Sequence, residues 1–197
     1  MNSYLGFYFL VFCSSLVLNL LALYFLKKHK IVDVPNSRSM HAHPVPRGGG
    51  IAMACVLLVS LACFQLFSDY TDAWLVLGFS IMVLGALDDF RPLGMLIRLV
   101  SQLAVAFTLV LALLLPVIET IDLWSAFLCI FIVFSTVWTI NSFNFMDGAD
   151  GFAVTQSLFF FASLGFISSA CDFHLLSTLA FMSTAAVLGF FPYNWHP

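Results

Sequence analysis

Long apolar runs separated by short polar breaks dominate this sequence. Seven runs can be followed, at about Tyr4–Leu26, Gly49–Phe67, Ala73–Leu87, Ile97–Leu115, Leu123–Ile140, Phe152–Ser168 and Leu175–Phe191. A helix needs about 20 predominantly apolar residues to cross a hydrocarbon layer of about 30 Å. Each run reaches or approaches that length, the third being the shortest. Backbone amides in lipid must be satisfied within their own segment, and runs of this length satisfy them as helices. The pattern therefore predicts an all-α, polytopic integral membrane bundle with about seven transmembrane helices.

Composition agrees. Of 197 residues, 62% are hydrophobic and 9% charged, against about 25% charged in an average soluble domain. A soluble nucleotide-binding enzyme is excluded on hydropathy alone. None of the connections exceeds about two dozen residues, too few for an independent core, so residues 1–197 are expected to form a single membrane domain. The first run has no basic segment before it and no small-residue cleavage site after it, and reads as a retained anchor. Cys13, Cys55, Cys63, Cys129 and Cys171 lack CxxC spacing. They imply neither a disulfide framework nor a zinc site, and thiols in apolar runs behave as small hydrophobes.

The charges are placed asymmetrically. Every Lys and Arg falls in one of two stretches: Lys27, Lys28, Lys30, Arg38 and Arg47 after the first run, then Arg91 and Arg98 after the third. The positive-inside rule puts both stretches in the cytoplasm. Alternate counting then places the N-terminus outside and the segment 141–151 and the C-terminus on the cytoplasmic side. The other connections carry no Lys or Arg. Apart from Arg98 at the edge of the fourth run, the runs hold no Asp, Glu, Lys, Arg or His, which weighs against a transporter or proton pump.

Polar chemistry is thus concentrated at one membrane surface. Asp88-Asp89 closes the third run at a helix C-terminus, where each carboxylate is disfavoured by about 0.3–1 kcal/mol before mutual repulsion. A cation is expected beside them. Arg91 and Arg98 can supply it as an ordinary interfacial cluster; so can a divalent cation such as Mg²⁺, which takes carboxylates and keeps positions for substrate phosphates. The segment Asn141-Ser142-Phe143-Asn144-Phe145-Met146-Asp147-Gly148-Ala149-Asp150-Gly151 sets two amides and two carboxylates between apolar runs. Asp147 and Asp150 share a face if the segment is helical, as do Asn141 and Asn144. A polar cap and turn accounts for the same residue types.

The first cytoplasmic connection holds the prolines Pro35, Pro44 and Pro46 and the triplet Gly48-Gly49-Gly50, which exclude a long helix. Arg47 beside three glycines offers a guanidinium next to backbone amides that can turn inward, a cradle for phosphate or pyrophosphate. Positive-inside topology and a flexible lead into the second run is the alternative. His41-x-His43 reads as a metal pair or as two solvated histidines, with phosphate contact the better functional role. Trp195 has the position of an interfacial aromatic.

Three motifs in order, Pro35-Asn36 with Arg38, His41, Pro44 and Pro46-Arg47-Gly48-Gly49-Gly50, then Leu87-Asp88-Asp89, then Asn141-x-x-Asn144-Phe145-x-Asp147-Gly148-x-Asp150-Gly151, resemble the polyprenyl-phosphate N-acetylhexosamine-1-phosphate transferases. That superfamily includes the bacterial undecaprenyl-phosphate GlcNAc-1-phosphate transferases and, more distantly, the phospho-MurNAc-pentapeptide transferase. The resemblance implies a reaction at the cytoplasmic face of the bacterial inner membrane. UDP-N-acetylhexosamine and polyprenyl phosphate give polyprenyl-diphospho-sugar and UMP, with Mg²⁺, or Mn²⁺ in its place, as cofactor. It implies a lipid, a UDP-sugar and the bilayer as partners, and no nucleic acid. Asp88, Asp89, Asp147 and Asp150 become the catalytic set, Asp88, Asp89 and Asn144 the metal ligands, and Arg38, His41 and Arg47 the phosphate contacts.

The resemblance also implies that the chain is the N-terminal portion of a longer transferase domain. Family members continue beyond a segment like Gly189–Pro197 with a further acidic motif, more spans and a basic, His-containing loop. The expectation is that these 197 residues alone are inactive or weakly active. A non-catalytic polytopic protein, a transporter or a scaffold whose surface acids cap helices, is the alternative. The amino sugar and the polysaccharide it feeds, O antigen, enterobacterial antigen, capsule or wall teichoic acid, stay open.

Overall fold

A computed structural model describes residues 2–33, 45–46, 48–64, 71–91, 93–114, 118, 122–146 and 151–194. Seven α-helices carry the described chain: α1 Asn2–Lys28, α2 Gly50–Phe64, α3 Thr71–Phe90, α4 Met95–Leu109, α5 Leu123–Met146, α6 Phe152–Ala170 and α7 His174–Asn194. A π-helical stretch, Val110–Leu114, prolongs α4. Among the described residues, an antiparallel two-residue ladder joins β1, Val32–Asp33, to β2, Val45–Pro46, in register Val32 with Pro46.

Among the described residues, five helices are long and apolar enough to cross a membrane: α1, α4 with part of its π extension, α5, α6 and α7. The chain is a multi-pass membrane protein. The second and third predicted runs correspond to α2, apolar but 15 residues long, and to α3. α3 extends past its apolar run at both ends, taking in Asp72 and Asp88-Asp89. α5 likewise continues from the predicted end at Ile140 to Met146. Asp88 in α3 and Asn141 in α5 each find a hydrogen-bond partner, so the helix does not have to stop there.

The chain forms two compact units, Met1–Ser60 with Met146–Pro197, and Leu61–Phe145. In the first, α7 packs against α1 and α6. The α1–α7 crossing is tight because its contact residues are small. Ser15 and Ala186 are fully buried and Gly189 faces the α1 backbone, where an added Cβ would stand 2.6 Å from the Phe12 carbonyl oxygen and 2.7 Å from Ser15 Cβ. Close approach of small residues lets helices associate in lipid, where no hydrophobic effect drives them together. Polar side chains return to neighbouring backbone: Ser15 Oγ donates to the Ala186 carbonyl at 2.6 Å and Tyr193 Oη to the Leu16 carbonyl at 2.9 Å.

In the second unit α3 packs against α4. α5 begins with a reciprocal cap: the Ser125 N–H donates to Asp122 Oδ1 at 2.8 Å, and the Asp122 N–H to Ser125 Oγ at 2.9 Å. The backbone hydrogen bond from Ser125, with the Ser125 side chain second, holds the Asp122 carboxyl below the usual carboxylate range.

Two outcomes follow from this packing. Gly189→Leu forces α1 and α7 apart and is expected to destabilise the protein by at least the ~1–3 kcal/mol of an overpacked core, whereas Gly6→Ala, with nothing within 4 Å of the added carbon, leaves it intact; thermal unfolding in detergent compares the two. Because the folded Asp122 carboxyl titrates lower than the unfolded one, its contribution is complete above the unfolded value and is lost as pH falls through the folded value. Asp122→Asn should therefore flatten the acid limb of the melting-temperature profile, and parallel profiles for variant and wild type would contradict the cap.

Candidate functional site

The second unit gathers polar side chains at one cavity. α3 presents Ile81, Leu84, Gly85 and Asp88 one turn apart on a single face, the spacing that aligns residues along a helix. At the end of α3 the Arg91 N–H donates to the Leu87 carbonyl at 2.8 Å, and α4 starts at Met95 after Gly94. Arg98, Gln102 and Val105 follow one another along α4. The end of α5 adds Ile140 and Asn144. Together these residues enclose a cavity of about 90 Å³, apolar on the Ile81, Leu84, Val105 and Ile140 side and polar at Asp88, Arg98, Gln102 and Asn144.

Asp88 is held from two directions. The Leu93 N–H donates to its Oδ1 at 2.8 Å, and Arg98 Nη1 donates to Oδ2 at 3.3 Å. The pair is partly exposed, 38% for Arg98 and 19% for Asp88, and a pair in that setting contributes ~0–1 kcal/mol. Its greater effect is to neutralise a carboxylate at the negative end of α3. The cation expected beside Asp88-Asp89 is thus Arg98. Asp89 is exposed and is not among the residues that line the cavity, because neighbours in a helix point about 100° apart.

On α5, Asn141 Nδ2 donates to Gln102 Oε1 at 2.6 Å and to the Val137 carbonyl one turn back at 2.8 Å. Asn144, one turn further, lines the cavity with Asp88. Of the residues singled out in the sequence, Asp88, Arg98 and Asn144 therefore line one cavity, with Arg98 paired to Asp88. Arg38, His41, Arg47, Asp147 and Asp150 lie outside the described residues. The glycines flanking two motifs do have a conformational role: Gly48 has φ 83° and Gly151 φ 68°, in the left-handed region that disfavours a side chain. The Gly151 N–H donates to the Asn194 carbonyl at 3.0 Å, joining the start of α6 to the end of α7.

Gln102 is the site residue that a search for charged groups passes over. Its signal was a lone side-chain amide in the run Ile97–Leu115. A carboxylate and an amide oxygen lining one cavity match the hard-oxygen preference of Mg²⁺, which is held by one or two carboxylates and substrate phosphates. Among the described residues no three His, Cys, Asp or Glu side chains gather to hold a metal ion, so such an ion would rest on Asp88, Asn144 and the phosphates it binds.

Residues 72–197 match the profile of the family described as Glycosyl transferase family 4. The chain is 28% identical over 178 residues to a "Probable undecaprenyl-phosphate N-acetylglucosaminyl 1-phosphate transferase" of Bacillus subtilis, covering 84% of this chain and 48% of that protein. It is 30% identical over 190 residues to a "Decaprenyl-phosphate N-acetylglucosaminephosphotransferase" of Mycolicibacterium smegmatis, with 84% and 47% covered. It is also 30% identical over 175 residues to an "Undecaprenyl-phosphate alpha-N-acetylglucosaminyl 1-phosphate transferase" of Escherichia coli K12, with 85% and 48% covered. The chain spans about half the length of these curated relatives.

Proposed function

The chain belongs to glycosyl transferase family 4, and from that membership we propose that its gene product transfers an N-acetylhexosamine 1-phosphate from a UDP-sugar to a polyprenyl phosphate in the bacterial inner membrane. The observation that carries the proposal is the cavity at which Asp88, Arg98 and Asn144 meet, in a chain whose relatives bear the names of phosphosugar transferases.

An oxygen of the lipid phosphate attacks the phosphorus that carries the sugar. A new P–O bond forms to that phosphorus while its bond to the bridging oxygen breaks, and the electron pair leaves on UMP. The product is a polyprenyl diphosphate carrying the sugar. The anionic lipid phosphate and the nucleotide diphosphate repel each other, so the protein's task is neutralisation and alignment. Mg²⁺, when bound, would supply charge neutralisation to the diphosphate, with Asp88 and Asn144 to hold it in the cavity; a role for Asp89 rests on the resemblance alone. Arg98 is available to a phosphate oxygen when Asp88 engages a cation instead. Asp147 and Asp150 contribute to metal and diphosphate binding by the resemblance, and Arg38, His41 and Arg47 to phosphate contact. The apolar wall of the cavity suits the first isoprene units of a lipid. The clustering of every Lys and Arg in two connections supports a cytoplasmic site, where UDP-sugars are made.

Membranes from cells expressing the gene, given UDP-GlcNAc and undecaprenyl phosphate, should release UMP. Asp88→Asn should lower the rate by about 10²–10³-fold, the scale for removing one electrostatic contact to a transition state. EDTA should abolish the reaction, and Mg²⁺ or Mn²⁺ restore it. Undiminished release by Asp88→Asn would remove the assignment.

A further inference from the structure

Gln102 is 6% exposed and lies in Met95–Ala112, a stretch otherwise apolar enough to cross a membrane. A buried side-chain amide is costly unless it is hydrogen-bonded. The partner of Gln102 is Asn141, at 2.6 Å, and Asn141 uses its other Nδ2 proton on Val137. The Asn141 amide is therefore fixed on both sides, by its own helix and by α4.

α5 is sparsely packed by the other described residues. None of its residues is buried, and Trp124, Phe127, Phe131, Phe134 and Trp138 are all exposed. Apolar packing leaves the rotation and depth of such a helix weakly determined, whereas a hydrogen bond sets both at one point. That point is one turn from Asn144, which faces Asp88 and Arg98 across the cavity.

We infer that Gln102 is a positioning residue of the site: by accepting from Asn141 it fixes the last turn of α5, and with it the reach of Asn144 toward the Asp88–Arg98 pair. The inference rests on the proposed function for the identity of the ligand. The clamp itself rests on geometry. A hydrogen bond that served folding alone would be felt chiefly in stability; a clamp is felt in ligand affinity and turnover, as with the groups that orient metal ligands from behind.

The test uses the purified gene product in detergent, with Mn²⁺ alone as the probe, titrated by electron paramagnetic resonance, together with UMP formation and thermal unfolding. Gln102→Leu keeps the bulk and removes the acceptor, and should weaken Mn²⁺ binding and lower kcat by about 10–100-fold. It should move KM for UDP-GlcNAc by less than about threefold and leave the melting temperature near that of wild type. Gln102→Glu keeps an accepting oxygen and should restore Mn²⁺ affinity. Asn141→Leu should reproduce the defect, and the double variant Gln102→Leu/Asn141→Leu should add nothing to it.

Wild-type Mn²⁺ affinity and turnover in Gln102→Leu would overturn the clamp, as would a loss that follows the melting temperature or a Glu variant that recovers nothing. A wild-type protein that binds Mn²⁺ with this Gln102 dependence but forms no UMP would remove the transferase reading and leave the clamp. UMP formation unaffected by Gln102→Leu would do the reverse. A wild-type protein that neither binds Mn²⁺ nor forms UMP would overturn both.

Discussion

Hydrocarbon offers no water to a polar group, and most of this architecture follows from that deficit. Backbone amides that cross the layer must pair within their own segment, so the apolar runs become helices. With the hydrophobic effect removed as a force between helices, close contact and hydrogen bonds take over. The α1–α7 crossing uses Gly189, Ala186 and Ser15 to bring two backbones together, and the Ser15 and Tyr193 hydroxyls end on carbonyls of the facing helix. No charge is needed there.

The second unit answers the same constraint with different residues. Asp88 receives a backbone N–H and the Arg98 guanidinium, and Gln102 receives the Asn141 amide. These are two separate groups of donors and acceptors, Asp88 with Arg98 and Gln102 with Asn141, beside an apolar wall. That combination suits a ligand with an anionic head and an apolar body. A divalent cation taking the place of Arg98 on Asp88 would add positive charge to the cavity and free a guanidinium, which together favour an anionic ligand. The proposed phosphosugar transfer calls for a carboxylate to hold a divalent cation and a cation for a phosphate, and Asp88 and Arg98 stand 3.3 Å apart.

Much of this was legible in the sequence, because the signals are long-range and redundant. Apolar runs as long as Phe152–Ser168 or Leu175–Phe191 admit one reading in a membrane chain, and α6 and α7 follow them closely. Asp88 was visible because a carboxylate pair at a helix C-terminus demands a partner. What could not be read was which cation answered it, since Arg91 is the nearer in sequence and it is Arg98, ten residues on in α4, that reaches Asp88. The ends of α3 and α5 were missed for a related reason: Asp88 and Asn141 are terminators by composition, yet each finds a partner one helix away and stays helical. Gln102 was illegible as a site residue because an uncharged amide acquires meaning only from what it faces.

The central claim is that a phosphosugar moves, not a sugar alone. UDP-GlcNAc labelled with ³²P in the phosphate next to the sugar, incubated with membranes containing the gene product and undecaprenyl phosphate, distinguishes the two directly. The account predicts that the label appears in the lipid fraction while unlabelled UMP is released. Label retained in the nucleotide as UDP, with sugar passing to the lipid, would contradict it.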